Sequence, residues 1–154
     1  RDLVRSRGLG DVYKRQAYGI AFASHQEIDE INILQATFLA MRRAFDAMQR
    51  RCDYVLIDGN RMPPLSIPGE TIVKGDSLSA SIAAASILAK VSRDRYMEEM
   101  DALYPQYQFA KHKGYGTKLH VELLRQYGPC PIHRRSFLKK ILSPEELAQY
   151  EHQQ

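Results

Sequence analysis

The 154-residue sequence contains no tryptophan, only two cysteines and no long apolar run, and each shortage excludes a class of protein. A membrane span needs about 20 consecutive apolar residues, which this sequence lacks. Cys52 and Cys130 are too few for a disulfide scaffold and do not have the spacing of a metal site. We therefore expect a cytoplasmic protein with no membrane partner. Because 44% of the residues are hydrophobic and 26% are charged, we expect one folded domain rather than a disordered chain.

The first 16 residues differ in character from the rest of the chain. They show no helical or strand periodicity, and they lack the apolar stretch of a signal peptide. The run Ser6–Gln16 matches, residue for residue, the translation of a transposon-tagging sequencing adaptor. We expect residues 1–16 to be a non-native segment and Ala17 to be an arbitrary entry point into a gene.

The basic charge of the chain is local rather than global. The formal net charge is +4, but residues 1–16 hold five of the 22 basic residues and two of the 18 acidic ones, so the remainder is nearly neutral. Between Tyr104 and Lys140, eight Lys and Arg residues face the single acid Glu122, and three histidines and six aromatic residues lie among them. This composition is typical of a nucleic-acid-binding surface and equally of a solvated face. Composition alone leaves both interpretations open.

Short strands alternate with helices along the sequence after residue 16, which predicts an α/β fold. Strands are expected at 17–23, 54–57 and 71–73. Helices are expected from a capping box at Ser24–Glu27 to about residue 50, over 77–102, over 118–127, and from Ser143 onward. The alanine-rich first half of the helix at 77–102 predicts close packing against a sheet.

Two aspartates, Asp58 and Asp76, follow predicted strands, and each lies beside a glycine. If the two strands are neighbours in a sheet, both carboxylates lie at one edge, where hard oxygen ligands suit a divalent metal ion. The structural alternatives are an Asp-Gly turn at Asp58 and a helix N-cap at Asp76. Spacing alone does not decide between a metal site and these structural roles.

From Ala17 to about Leu138 the sequence resembles ribonuclease HII, the type 2 ribonuclease H of bacteria. Five stretches carry the resemblance: IDEINILQATFLAM (28–41), VLIDGNRMP (55–63), IVKGDSLSASIAAASILAKVSRDRYM (72–97), YPQYQFAKHKGYGTKLH (104–120) and YGPCPIHRRSF (127–137). The resemblance implies an α/β ribonuclease H-like fold, with a mixed sheet flanked by helices and with further C-terminal helices. It implies a monomer that cuts the RNA strand of RNA–DNA hybrids and cuts 5′ of ribonucleotides in duplex DNA, leaving 3′-hydroxyl and 5′-phosphate ends. The implied cofactor is Mn²⁺ or Mg²⁺.

The resemblance also implies roles for individual residues. Asp58 and Asp76 match two of the family's four metal-site carboxylates. Tyr115 matches the tyrosine that packs on the deoxyribose at an RNA–DNA junction. Further substrate-binding groups are implied at Lys113, His133, Arg134 and Ser136. For the last three of these, a purely structural role is an open alternative. Charges on the long helix, such as Lys90 and Arg93, are expected to be solvated or paired with nearby acids.

The sequence departs from the family pattern in one respect. The family's other two carboxylates form an Asp-Glu pair followed by Val-Gly-Arg-Gly on its first strand, and this sequence contains no such run. The pair Asp29-Glu30 lies within a helical motif and does not replace it. We therefore expect a non-native segment at 1–16, a catalytic domain lacking its first strands at 17–142, and a helical tail at 143–154. Two hypotheses follow: a two-metal endonuclease, which is the function expected of the intact family member, or a catalytically inactive truncated chain that binds nucleic acid without specificity. With two of the four expected carboxylates, the 154-residue chain itself is expected not to cleave.

Overall fold

The structure of the protein is a computed structural model, which describes residues 17–151. The predicted non-native segment 1–16 lies outside the described residues. In chain order the elements are α1 (His25–Asp46), β1 (Val55–Asp58), β2 (Gly69–Ile72), α2 (Gly75–Leu78), α3 (Ala80–Leu103), a 3-10 turn (Pro105–Tyr107), α4 (Phe109–His112), α5 (Lys118–Tyr127), α6 (Arg135–Ile141) and α7 (Pro144–Glu151). The predicted α/β class is confirmed.

Helix α1 begins at the predicted capping box and bends once. The Ser24 hydroxyl accepts a hydrogen bond from the backbone N–H of Glu27 at 3.1 Å, and the Glu27 carboxylate accepts one from the N–H of Ser24 at 2.8 Å. At Asn32 the backbone leaves the helical region, with φ 68° and ψ 165°. The Asn32 side-chain oxygen accepts from the N–H groups of Leu34 and Gln35, so it caps the helical turns that follow the bend.

The described sheet consists of two parallel strands. Val55 lies opposite Gly69, and Asp58 lies opposite Ile72, so β1 and β2 are neighbours. The strand predicted at 17–23 is wrong, because that segment has no regular structure in the described chain. An apolar run of this length needs a neighbouring strand for its backbone hydrogen bonds, and none of the described strands pairs with it.

The single helix predicted at 77–102 is divided at Ser79 into α2 and α3. Ser79 is extended, and its hydroxyl accepts from the N–H of Ile82 at 3.4 Å, which caps α3. The expectation that the alanine-rich half of α3 packs closely against a sheet is wrong beyond the first turn. Ile82 is buried, but Ile87 and Val91 are 63% and 43% exposed. Neighbouring strands lie only about 5 Å apart, so two strands cover a narrow strip of a 24-residue helix.

Most of the buried apolar side chains lie in the second half of the chain. Two clusters form there: Met97, Tyr107, Phe109 and Cys130 in one, and Leu124, Leu138 and Leu142 in the other. The stretch 104–117, predicted as an irregular loop, contains the 3-10 turn and α4, and α6 was not predicted. Helix α7 begins as predicted, and its Leu147 and Tyr150 pack on the leucine cluster. No helix within 17–151 is long and apolar enough to cross a membrane.

Candidate active site and nucleic-acid interface

Asp58 is the last residue of β1 and is held by the turn that follows β2. The N–H of Gly59 donates to the carbonyl of Ile72 at 3.1 Å, so the two strands stay paired up to this point. One carboxylate oxygen of Asp58, Oδ1, accepts from the N–H of Gly75 at 2.9 Å. A Cβ at Gly75 would lie 2.6 Å from the Ile82 side chain, so a larger residue at this position requires Ile82 to move.

Asp76 is the next residue along the chain and lies in the first turn of α2. The turn that places it passes through Lys74, whose φ of 57° lies in the left-handed region. Because the N–H of Gly75 is bonded to Asp58, Asp76 is one residue away from that hydrogen bond. Both aspartates are exposed. The N-cap role considered for Asp76 in the long helix belongs instead to Ser79.

The chemistry of these donors suits a hard divalent cation. Mg²⁺ is commonly held by one or two carboxylates together with water and substrate phosphate. The second oxygen of Asp58 and both oxygens of Asp76 supply such donors. Among the residues that the structure describes, no group of three or more His, Cys, Asp or Glu side chains is arranged to hold a metal ion. Asp58 and Asp76 therefore fit as part of a ligand set and do not complete a two-metal site by themselves.

The exposed ring of Tyr115 lies beside Arg93, which is near the middle of α3. The guanidinium of Arg93 is 5.5 Å from the centre of the Tyr115 ring, and it also donates to the carbonyl of Lys113 at 3.2 Å. The ammonium of Lys113 forms an ion pair with Glu98 at 2.9 Å. Arg93 therefore braces the Tyr115 loop, a role that helical spacing alone does not reveal. Lys113 has its charge partly neutralised by an acid.

The first turn of α6 carries Arg134 and Ser136 and is held from a distant part of the chain. Asp29 accepts from the N–H of Arg135 at 2.6 Å and from the N–H of Ser136 at 3.0 Å. Burial alone would raise the pKa of Asp29, but these hydrogen bonds and the charge of Arg134 lower it below its usual 3.8. The guanidinium of Arg134 lies 5.9 Å from the centre of the Phe137 ring. Sequence reasoning missed Asp29, because no local spacing indicates a contact across more than 100 residues.

Both ring nitrogens of His133 are engaged inside the protein. Its Nδ1 accepts from the N–H of Cys130 at 3.0 Å, and its Nε2 lies 3.0 Å from Nε2 of His120. Burial, with the nearby His120 as a further cause, lowers the pKa of His133 to about 4. Neither nitrogen is free for a phosphate in this arrangement. The geometry therefore favours the structural role that the sequence left open for His133.

Comparison with known proteins decides the family. Residues 11–140 match the family Ribonuclease HII, which is most of the chain. The chain belongs to the ribonuclease HII family. The matched range begins inside the segment 1–16, and it includes every aspartate, tyrosine and basic residue singled out above as a candidate site residue.

Proteins named Ribonuclease HII from three bacteria illustrate the similarity. The one from Caldanaerobacter subterraneus subsp. tengcongensis is 57% identical over 136 residues, which cover 87% of this chain and 56% of the relative. The one from Caldicellulosiruptor saccharolyticus is 56% identical over 125 residues, covering 81% and 61%. The one from Clostridioides difficile is 53% identical over 136 residues, covering 87% and 53%. This member of the ribonuclease HII family thus spans little more than half the length of the curated relatives it matches.

Proposed function

We propose that this chain forms part of an endonuclease that hydrolyses the RNA strand of RNA–DNA hybrids and cuts 5′ of ribonucleotides embedded in duplex DNA. One observation carries the proposal: in a chain of the ribonuclease HII family, Asp58 ends a strand whose parallel neighbour leads into the turn before Asp76, and the N–H of Gly75, the residue before Asp76, donates to Asp58. Carboxylates at such an edge suit metal-assisted phosphodiester hydrolysis. The products are a 3′-hydroxyl and a 5′-phosphate.

Asp58 and Asp76 are the residues that would hold Mn²⁺ or Mg²⁺. Divalent ions held there, together with further ligands, would supply activation of the attacking water and stabilisation of the departing 3′-oxygen. The contribution of the chain itself is orientation. The hydrogen bond from Gly75 fixes one oxygen of Asp58 and leaves the other free to face a cation. A Mg²⁺ site demands near-ideal geometry, so fixing the orientation of the Asp58 carboxylate would favour binding of the ion.

The nucleic acid would be bound by the residues around Tyr115 and α6. The Tyr115 ring is 62% exposed, so it offers a surface on which a deoxyribose can pack. Arg134 and Lys113 supply positive charge for phosphates, and the Ser136 hydroxyl supplies a neutral donor.

The decisive experiment measures metal-dependent cleavage by the purified 154-residue protein. The substrates are an RNA–DNA hybrid and a DNA duplex with one ribonucleotide, each with Mg²⁺, with Mn²⁺ and with EDTA. Asp58→Asn should lower the cleavage rate by more than about 100-fold. Loss of a group that only supports a metal ligand lowers activity by about 10- to 100-fold, and loss of the ligand itself should have a larger effect. Asp76→Asn should lower it less. Asp46→Asn, an exposed aspartate at the end of α1, is the matched control and should cleave normally. Metal-dependent cleavage that is equally fast in the unsubstituted and Asp58→Asn proteins would overturn the proposal.

A second candidate is a catalytically inactive chain that binds nucleic acid without specificity. The absence of a complete metal-ligand group among the described residues favours it. This candidate predicts no metal-dependent cleavage at any protein concentration. It also predicts equal affinity for a hybrid and for plain DNA, with affinity falling steeply as salt rises. Cleavage that disappears in the Asp58→Asn protein would exclude it.

A further inference from the structure

Three histidines of the basic stretch, two buried and one half-buried, form a connected group that the proposed chemistry does not use. The rings of His112 and His120 stack with centres 4.0 Å apart, and both residues are at most 5% exposed. His120 continues to His133 through the contact between their Nε2 atoms. His133 ends on Cys130, whose N–H and thiol both face its Nδ1. The group therefore runs without a gap from α4 to the segment before α6.

The hydrogen-bond partners fix the proton positions. Nδ1 of His120 faces the carbonyl of Tyr115 at 2.9 Å, so it must carry a proton, and its Nε2 must then be an acceptor. Nδ1 of His133 accepts from the N–H of Cys130, so the proton of His133 is on Nε2 and is donated to His120. His112 donates through Nε2 to the carbonyl of Tyr107 at 2.7 Å and accepts at Nδ1 from the N–H of Gly114. Every ring nitrogen of the three histidines therefore has a partner.

One end of this group holds the backbone of Tyr115. The carbonyl of Tyr115 accepts from His120 and also from the N–H of Thr117 at 2.8 Å, while its N–H donates to the carbonyl of His112 at 2.9 Å. Lys113 and Gly114 before it have positive φ values of 50° and 78°, so the loop is a tight turn with little freedom. The exposed ring thus projects from a backbone anchored to buried imidazoles.

We propose that His120 is a positioning residue for Tyr115: its Nδ1–H fixes the Tyr115 backbone, and its Nε2 ties that loop through His133 to the segment carrying Arg134. This inference rests on the proposed function, since it concerns the nucleic-acid contact of Tyr115. His120 itself is 2% exposed and does not touch the nucleic acid. Replacement of His120 should therefore change nucleic-acid binding because Tyr115 moves, and not because a direct contact between His120 and the nucleic acid is lost.

The test compares affinities for two duplexes of equal length, one all DNA and one with a single ribonucleotide, in EDTA so that no cleavage occurs. The readout is the ratio of the two dissociation constants. Tyr115→Ala should lower this preference about fivefold or more, the effect of losing a stacking contact. His120→Leu, which lacks a donor, should lower it to a similar degree. His120→Asn, whose amide can donate in place of Nδ1–H, should stay within about twofold of the unsubstituted protein.

The outcomes separate the two proposals. A preference unchanged in Tyr115→Ala would overturn the proposed contact of Tyr115. A preference lowered by Tyr115→Ala but unchanged by His120→Leu, or lowered equally by His120→Leu and His120→Asn, would overturn the positioning role alone. His25→Leu, at the start of α1, is the matched control and should behave as the unsubstituted protein.

A second measurement needs no substitution and stays decisive if the leucine variant does not fold. Long-range ¹H–¹⁵N correlation spectra of the histidine rings report which nitrogen carries the proton. We expect a protonated Nδ1 at His120 and a protonated Nε2 at His112 and His133 at neutral pH. A proton on Nε2 of His120 would leave the Tyr115 carbonyl without its donor and would overturn the inference.

Discussion

Acidification from pH 7 to pH 5 should destabilise this protein through His133. In the folded state its Nδ1 accepts from the N–H of Cys130 and its Nε2 donates to His120. A second proton would have to occupy Nδ1, where it would face the donor N–H of Cys130. Burial is the largest cause of the lowered pKa of about 4, and the nearby His120 adds to it.

The sign and size of the effect follow from linkage. The ordinary pKa of histidine is 6.5, so between pH 6.5 and pH 4 the unfolded chain binds a proton at His133 that the folded chain does not. The free energy of unfolding therefore falls as the pH falls through this window. Within this window the free energy of unfolding falls by up to about 1.4 kcal/mol per pH unit. The total loss between pH 7 and pH 5 is about 2 kcal/mol. Glu27 and Asp29 have lowered pKa values, so their stabilising contributions are lost only at lower pH.

Urea unfolding followed by circular dichroism at pH 7, 6 and 5 measures this quantity. His133→Asn keeps an acceptor for the N–H of Cys130 but does not titrate, so it should lose about 2 kcal/mol less than the unsubstituted protein over the same range. Some pH dependence should remain, because burial also lowers the pKa of His120. His25→Asn, at the exposed start of α1, should follow the unsubstituted protein. The reasoning is refuted if His133→Asn shows the same pH dependence as the unsubstituted protein.

Three further predictions concern stability. Asp29→Ala removes both acceptors at the start of α6 and should lower the unfolding free energy by about 1 kcal/mol at pH 7, with the difference shrinking below the carboxyl pKa; an unchanged urea midpoint at pH 7 would contradict it. Gly75→Ala forces a Cβ against Ile82 and should lower the free energy of unfolding by about 1–3 kcal/mol. Adding Ile82→Val should recover part of this stability in thermal unfolding, and a double variant with no recovery would contradict the proposed clash. Ile87→Gln, at a residue that is 63% exposed, should change stability by less than about 0.5 kcal/mol and lower binding of an apolar dye, and a larger loss of stability would show that Ile87 is buried.

The elements that the sequence predicts correctly depend on contacts within a few residues. The capping box at Ser24 and Glu27 and the start of α7 after Ser143 each use side chains three residues apart. Helix α6 was missed because its first turn is held by Asp29, which is 106 residues before Arg135. No local propensity reports a cap supplied from so far away along the chain.

The candidate site divides in the same way. That Asp58 and Asp76 share an edge follows from a general property of parallel strands, so sequence spacing was enough to suggest it. The hydrogen bond from Gly75 to Asp58 depends on a turn whose shape the sequence does not specify. Likewise, histidines among lysines and arginines suggest a charged surface, whereas the structure buries His120 and lowers its pKa. The environment of His120 is determined by hydrogen-bond partners, Tyr115 and His133, that lie in segments separate from its own helix.

Ion pairs partly neutralise some of the basic residues between 104 and 140. Within the described chain, most of the basic residues that remain without such a pair lie on one helix, α6. Three of the eight Lys and Arg residues between 104 and 140 have acidic partners, in the pairs Lys113–Glu98, Lys118–Glu122 and Arg125–Glu146. Four of the others lie at the start of α6 or on it: Arg134, Arg135, Lys139 and Lys140. Within residues 17–151 none of these four forms a direct ion pair with an acidic side chain, although Arg134 lies close enough to Asp29 for its charge to lower the pKa of that carboxyl group. Because Asp29 fixes the first turn of α6, the direction of this charge depends on α1, far away in the sequence. The direction of the proposed phosphate-binding surface therefore depends on a tertiary contact as well as on the local abundance of basic residues.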